Sequence, residues 1–245
     1  MSKKIEREKR VSAIGGFSNP SKMPTLSYST PAYNCILGSI LRNVENSTCS
    51  GCYALKGCYV FPSTRDAMER RFSKIKEVLE SAIARAEFLE NFSWLLTDRF
   101  ERTCKAIAKN GKPGADDGRY FRWHDSGDLQ STDHFRLLCE VAESAPMVTF
   151  WLPTRETGMI QKYLNEDGII PSNLTVRLSI PLMDRGPQGM IQTLMDSEGT
   201  VTASGVHNLE SAIGETCPAY QNDGACGDCR ACWDPSVELV TYPKH

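Results

Sequence analysis

The chain reads as an α/β protein built as an incomplete parallel β/α barrel with cysteine-rich loops at both ends. Three observations predict this. After residue 111, short strand-like runs alternate with helical stretches, the order that produces βαβ units and a parallel sheet. Polar residues recur at the C-terminal ends of successive strand-like runs, where β/α folds carry their sites. The 245 residues are 40% hydrophobic, enough for one sizeable core and for one domain rather than two. An open doubly wound sheet is the other arrangement this order permits.

Residues 1–30 are polar, with Gly15-Gly16, Pro20 and Pro24 as breakers, and are expected to form an irregular N-terminal arm. Its cluster of Lys3, Lys4, Arg7, Lys9 and Arg10 against Glu6 and Glu8 suits a solvated tail, or an arm that contacts nucleic acid. Residues 31–245 are then the single domain. Residues 35–58 follow neither helical nor strand periodicity and read as a loop wrapped around something. A proline-free helical stretch spans about 64–109. Ser63 or Thr64 can cap its start, and Gly111 with Pro113 ends it. Asn91 and Ser93 suggest a break into two helices. Leu96, Phe100, Cys104 and Ile107 form one apolar stripe at helical spacing, which makes Cys104 a core residue.

Arg119–His124 reads as a strand. Ser131 can cap a helix running to Ser144 and stopped by Pro146. Phe135, Leu138, Cys139 and Ala142 line its buried face, so Cys139 is structural as well. Strands are expected over 147–152, 174–180 and 200–203, with a short helix over 157–165.

A formal net charge of −2 predicts no strong attraction to nucleic acid or to membrane surfaces. The first twenty residues hold no apolar signal-peptide region, and no apolar run approaches the ~20 residues of a membrane span. The chain is therefore expected to be cytoplasmic. Disulfides rarely persist there, so clustered cysteines point to metal binding; a secreted chain would instead pair them as five disulfides.

Eight of the ten cysteines fall into two clusters. At the back, Cys226, Cys229 and Cys232 form a C-x2-C-x2-C run, with Cys217-Pro218 upstream. Bacterial ferredoxins place three thiolates of a cubane cluster at this spacing, with a remote fourth cysteine followed by proline. Gly224 and Gly227 allow the chain to turn around such a centre. Zinc is the alternative, although zinc sites more often pair two separated C-x2-C knuckles. At the front, Cys49 and Cys52 form a C-x2-C pair, with Cys35 before and Cys58 after it. All four could bind metal. A three-cysteine site with one open position could bind substrate or act as a Lewis acid. The expected cofactors are thus one or two iron–sulfur clusters, of the [4Fe-4S] type, with zinc as the alternative.

His124, Asp125, Ser126 and Asp128 follow the first strand after residue 111, and Arg155 follows the next. Asp184-Arg185 and His207 lie beyond later ones. Converging at one sheet edge, they form a candidate pocket, with His124, Asp125, Ser126, Asp128 and Arg155 as catalytic candidates. Singly, each has a plainer explanation: Asx turns or caps for Asp125, Ser126 and Asp128, a core position for His124, and an ion pair for Arg155. His207 could serve as a remote base for Ser126.

Cys49-Ser-Gly-Cys52-Tyr53-Ala54-Leu55-Lys56-Gly57, Trp123-His124-Asp125-Ser126-Gly127-Asp128, Phe150-Trp151-Leu152-Pro153-Thr154-Arg155 and Cys226-x2-Cys229-x2-Cys232-Trp233 together resemble the phage gene product 88 family, over roughly residues 30–235. The resemblance implies a bacteriophage origin, hence the cytoplasm of an infected bacterial host, more than it implies an activity. More distantly, the layout is similar to radical S-adenosylmethionine enzymes: a cysteine loop, a partial barrel, then a C-terminal cluster. The C-x3-C-x2-C loop of that superfamily is absent, so S-adenosylmethionine binding does not follow from the motif.

The functional expectation is an iron–sulfur enzyme with redox or radical-type chemistry at a pocket beside a cluster. A hydrolase with structural or Lewis-acid clusters is the first alternative. A non-catalytic binding protein stabilised by zinc or a cluster is the second. A small-molecule substrate or an electron donor of unspecified identity is the expected partner, without membrane or nucleic acid.

Overall fold

The structure, a computed structural model, describes residues 2–244. Met1 and His245, the outer ends of the expected arm and domain, lie outside the described residues. Among the described residues, seven strands form one all-parallel sheet: β1 (Ser27–Tyr28), β2 (Tyr120–Trp123), β3 (Thr149–Thr154), β4 (Leu174–Ser179), β5 (Val201–His207), β6 (Glu215–Thr216) and β7 (Leu239–Pro243). Their order is β1-β2-β3-β4-β5-β7-β6, with neighbours paired in parallel. The sheet is open, and its C-terminal strand ends all lie along one edge.

Strand alternation gives the sheet two unlike faces. One face carries Phe121, Trp123, Phe150, Leu152, Leu174, Val176 and Leu178, all buried in the main core. Among the described residues, seven α-helices accompany the sheet: α1 (Lys3–Ala13), α2 (Ile36–Leu41), α3 (Pro62–Glu80), α4 (Ala82–Asn110), α5 (Thr132–Glu143), α6 (Thr157–Asn165) and α7 (Met190–Ser197). Phe88, Phe92, Leu95 and Leu96 of α4 join this core. Phe92 stacks on Trp123 at 5.3 Å between ring centroids, a contact type that adds about 0.5–1.5 kcal/mol beyond area burial. The opposite face carries Arg122, Trp151, Thr175 and Arg177. It is covered by the C-terminal cysteine segment: Thr175 Oγ1 donates to Trp233 O at 2.9 Å, and Trp233 Nε1 to Phe121 O at 2.9 Å.

Several boundaries fall where expected. Ser131 Oγ accepts from His134 N at 3.0 Å and starts α5. Gly111, with φ 73°, ends α4 in the left-handed conformation. Cys139 is buried.

Others require correction. The first half of the expected irregular arm is helix α1, which packs on α4. Arg7 pairs with Asp98 (Nε–Oδ2 2.8 Å), and Arg10 lies over the Trp94 ring. The basic residues that suggested a free tail are partly used as helix–helix ties. The long helical stretch breaks at Ser81, which is extended and caps α4 by accepting from Ala84 N. Asn91 and Ser93 remain inside α4. Asn91 Nδ2 bonds back to Glu87 O at 2.7 Å, and Ser93 Oγ donates to Ser144 O at 2.9 Å. Cys104 is exposed, because the buried positions of α4 end at Thr103 and its last turns run past the core. The fourth expected strand extends to His207.

Candidate functional site

A cavity of about 460 Å³ opens at the C-terminal strand ends. The front segment supplies one wall, with Cys35, Gly38, Thr48, Cys49, Cys52 and Tyr53. The strand ends supply the other, with Arg122, His124 to Asp128, Trp151, Pro153 to Arg155, Ser179, Ser204 and Tyr242. All five catalytic candidates therefore line the same cavity as three of the front cysteines. Cys58 does not line it and is exposed.

The front segment is latched across several strand ends. Ser47 bridges Leu182, and Thr48 N donates to Pro181 O at 3.0 Å. Tyr53 OH donates to Asp125 O at 2.6 Å. Leu37 N donates to Glu156 Oε1 at 2.9 Å. Arg155 spans the gap: Nη1 donates to Ser179 O and Ile180 O, each at 3.0 Å, and Nη2 donates to Thr48 Oγ1.

The β2 end is bent to present its polar groups. His124 has φ 53°, an uncommon conformation for a residue with a side chain. Gly127 has φ 86°, and a Cβ there would lie 2.7 Å from Thr30 O, so only glycine fits this close approach. Asp125 accepts from Ser27 Oγ at 2.5 Å and from Ser18 Oγ at 3.3 Å. Asp128 accepts from Thr154 Oγ1 (2.6 Å), Leu129 N (2.8 Å) and Arg155 N (3.0 Å). Burial pushes the Asp128 carboxyl up, and those three donors oppose the rise.

Four cavity-lining residues carry buried polar atoms without a hydrogen-bond partner: Arg122 Nε, both His124 ring nitrogens, Ser126 Oγ and Trp151 Nε1. Orphaned buried polar atoms are rare and costly, and their concentration here fits a site completed by a polar ligand. His207 makes no such contribution. Its Nε2 faces Arg185 O at 3.0 Å and its Nδ1 faces Thr241, so it forms no pair with Ser126. Asp184 is engaged with Asn208 and Ser211, away from the cavity.

Burial holds His124 well below the ordinary histidine range and pushes His134, whose ring lies 5.5 Å away, down to about 3. Between pH 6.5 and about 3, the unfolded chain binds a proton at residue 134 that the folded chain refuses. Stability is thus expected to fall as pH drops below 6.5, by at most about 1.4 kcal/mol per pH unit for this group. Urea unfolding at pH 7 and pH 5 should show a smaller acid loss in His134→Gln than in the unchanged chain.

The front cysteines suit a shared thiolate centre. The point a Cβ would occupy on Gly38 lies 3.7 Å from Cys35 Sγ and 3.8 Å from Cys49 Sγ, and 2.9 Å from Cys35 Cβ. The absence of that carbon leaves open the space between the two sulfurs. Burial pushes the Cys35 and Cys49 thiols up, and Arg155 opposes this at Cys49. A bound cation would supply the missing compensation.

The back cysteines gather in one segment. Cys217 N donates to Thr241 O at 2.8 Å, and Cys226 N to Lys22 O at 3.0 Å. Gly224 (φ 80°) and Gly227 (φ 54°) turn the chain. Cys232 is buried, and its thiol is pushed up to about 12 by burial. Arg177, fully buried on β4, donates to Cys232 O (3.0 Å), Asp234 O (2.8 Å), Val237 O (2.8 Å), Ala231 O and Ala203 O. Neither Arg122 nor Arg177 makes an ion pair among the described residues. Arg177, a buried cation without an ion pair beside the back cysteines, fits a neighbour of negative charge, because an uncompensated buried charge is strongly unfavourable. Among the described residues, no three His, Cys, Asp or Glu side chains close around a single ion.

Arg122, Arg177, Tyr53, Trp151 and Tyr242 were not among the sequence-derived candidates. Arg177 carried a usable signal, a lone arginine inside the apolar strand Leu174–Ser179.

Fold and site define an α/β protein with an open parallel sheet and a cysteine-lined cavity at its C-terminal strand ends. The family model described as Gene product 88 matches residues 2–235, and the chain belongs to that phage family. No curated protein and no solved structure matches it. Among the described residues, no helix is long and apolar enough to cross a membrane.

Proposed function

We propose that the protein is an iron–sulfur enzyme that performs one-electron, radical-type chemistry on a small zwitterionic ligand in the cavity. The observation that carries the reading is the division of the cysteines. Cys35, Cys49 and Cys52 line the cavity together with His124, Asp125, Ser126, Asp128 and Arg155, whereas Cys58 does not. Cys35, Cys49 and Cys52 would hold a cluster on the cavity wall, and when bound it would supply one-electron chemistry there. Cys217, Cys226, Cys229 and Cys232 would hold a second, fully ligated cluster. We read the sheet as an incomplete β/α barrel whose inner face is filled by that second site.

The remaining roles belong to the chain's own residues. Asp125 and Asp128 offer carboxylates to an ammonium group, and Arg122 offers its unpaired Nε–H to a carboxylate. Ser126 and the His124 ring supply further unpaired polar atoms. Both donors and acceptors thus face one ligand, as a zwitterion requires. The latched front segment limits entry of water. S-adenosylmethionine has these charges at its methionine end and is the first ligand to test. The esterase-like alternative gains nothing from Ser126, whose hydroxyl has no base beside it. A zinc-stabilised binding protein keeps the back site but leaves the unpaired cavity groups unexplained.

Incubation of the anaerobically reduced chain with S-adenosylmethionine tests this reading. Consumption is expected, and Cys52→Ala should lower it at least about 100-fold, a loss typical of removing an essential catalytic part, while iron at the back site persists. A reducible centre without any consumption of the ligand would refute it.

A further inference from the structure

We propose that Tyr242 is the contact through which the back cysteine site meets the cavity, and that its hydroxyl sets the redox properties of that site. Tyr242 lines the cavity, and its OH lies 3.2 Å from Cys232 Sγ. With Cys232 bound as a thiolate, the phenol is the donor and the sulfur the acceptor. One side chain thus touches both the back ligand set and the space in which a ligand would sit.

Both partners are held firmly. Tyr242 lies on β7, paired with Val206 of the long strand β5. Cys232 is fixed through the carbonyls of residues 231, 232 and 234, all taken by Arg177. Cys232 is also the one buried member of its set, the other three being partly exposed. The inner face around them is closed by Trp151 and Trp233, whose rings are 5.1 Å apart, and by Arg122 over Trp151 at 4.4 Å. The hydrogen bond is part-buried, and partial exclusion of water strengthens it. Donation to a ligand sulfur favours the more negatively charged, reduced state and raises the midpoint potential. A cavity ligand that engages the same oxygen changes that donation, and the effect is reciprocal: the redox state of the back centre alters ligand affinity.

The inference rests on the iron–sulfur reading of the back site. Its test compares forms of the full, metal-loaded chain. In Tyr242→Phe the ring still fills the cavity wall but the donor is gone. The midpoint potential of the back centre, followed by electron paramagnetic resonance, is expected to fall at unchanged iron content. Tyr163→Phe, whose hydroxyl serves Ile169 O instead, is expected to leave it unchanged. Equal midpoints in the Tyr242→Phe and unchanged chains overturn the inference. With S-adenosylmethionine shown to be bound by equilibrium dialysis, a midpoint shift confined to chains that keep Tyr242 supports the coupling, and an identical shift in both forms contradicts it. A tenfold preference of the ligand for one redox state corresponds to about 59 mV. If the probe does not bind, the comparison of the two midpoints decides alone. Metal analysis separates the two failures: a chain without iron overturns the iron–sulfur reading and this inference together, and an iron–sulfur chain with unmoved midpoints overturns only the inference.

Discussion

Replacing Cys226 and Cys229 together by serine is expected to empty the back site and to destabilise the chain by about 4 kcal/mol, the value for a ligand present a thousandfold above its dissociation constant. The reason is architectural. The segment from Cys217 to Val237 covers the polar face of the sheet, where the fully buried apolar core is small: Trp151, Trp233 and Val240 with Cys232, edged by partly buried Met23, Tyr120, Ala231, Val237 and Tyr242. A metal–thiolate centre would supply the cohesion that this core lacks, much as structural metals do in small domains. Front-site substitutions have a different expected signature. Cys49→Ser should lower the iron content with little change in stability, because the front segment is also tied by Ser47, Thr48 and Tyr53 to the strand ends. Metal content and chemical denaturation of both variants check this. Equal stability of the double variant and the unchanged chain would show that the back site carries no structural metal.

Arg177→Leu is expected to cost about 3–5 kcal/mol, the sum expected when several buried carbonyl acceptors lose their donor. The guanidinium satisfies five carbonyl oxygens, four of them in residues 231–237. Leucine would leave these buried acceptors without donors, each at a cost of about 1–3 kcal/mol where water cannot enter. Arg177→Lys should recover only part of the loss, since one ammonium cannot reproduce a planar fork of five donors. Thermal unfolding measures the stability change. The metal content of the purified variant shows whether the back cysteines have lost their arrangement.

Much of this was legible in the sequence where one local rule acted alone. Ser131 and Pro146 bound α5, and Gly111 ends α4. The alternation after residue 111 gave the parallel sheet, and parallel direction then placed the polar strand ends along one edge, where His124, Asp125, Ser126, Asp128 and Arg155 do meet. What was not legible depends on tertiary partners. Ser81, not Asn91 or Ser93, breaks the long helix, because the polar side chains of the latter two find carbonyl acceptors without disturbing it. The apolar stripe through Cys104 is real, but the core ends before that residue. Spacing alone could not separate Cys58 from Cys35, Cys49 and Cys52, since the front loop has no regular period. Helix α1 is stabilised by Asp98 and Trp94, about ninety residues away in the chain.

The central claim is that the two groups of cysteines hold iron–sulfur clusters, one of them open to the cavity. Determination of iron, acid-labile sulfide and zinc in the anaerobically purified chain, together with its visible absorption spectrum, tests it most directly. A brown protein containing iron and sulfide is expected, with broad absorption near ~400 nm that bleaches on reduction. A colourless protein that carries zinc, or no metal at all, would contradict it.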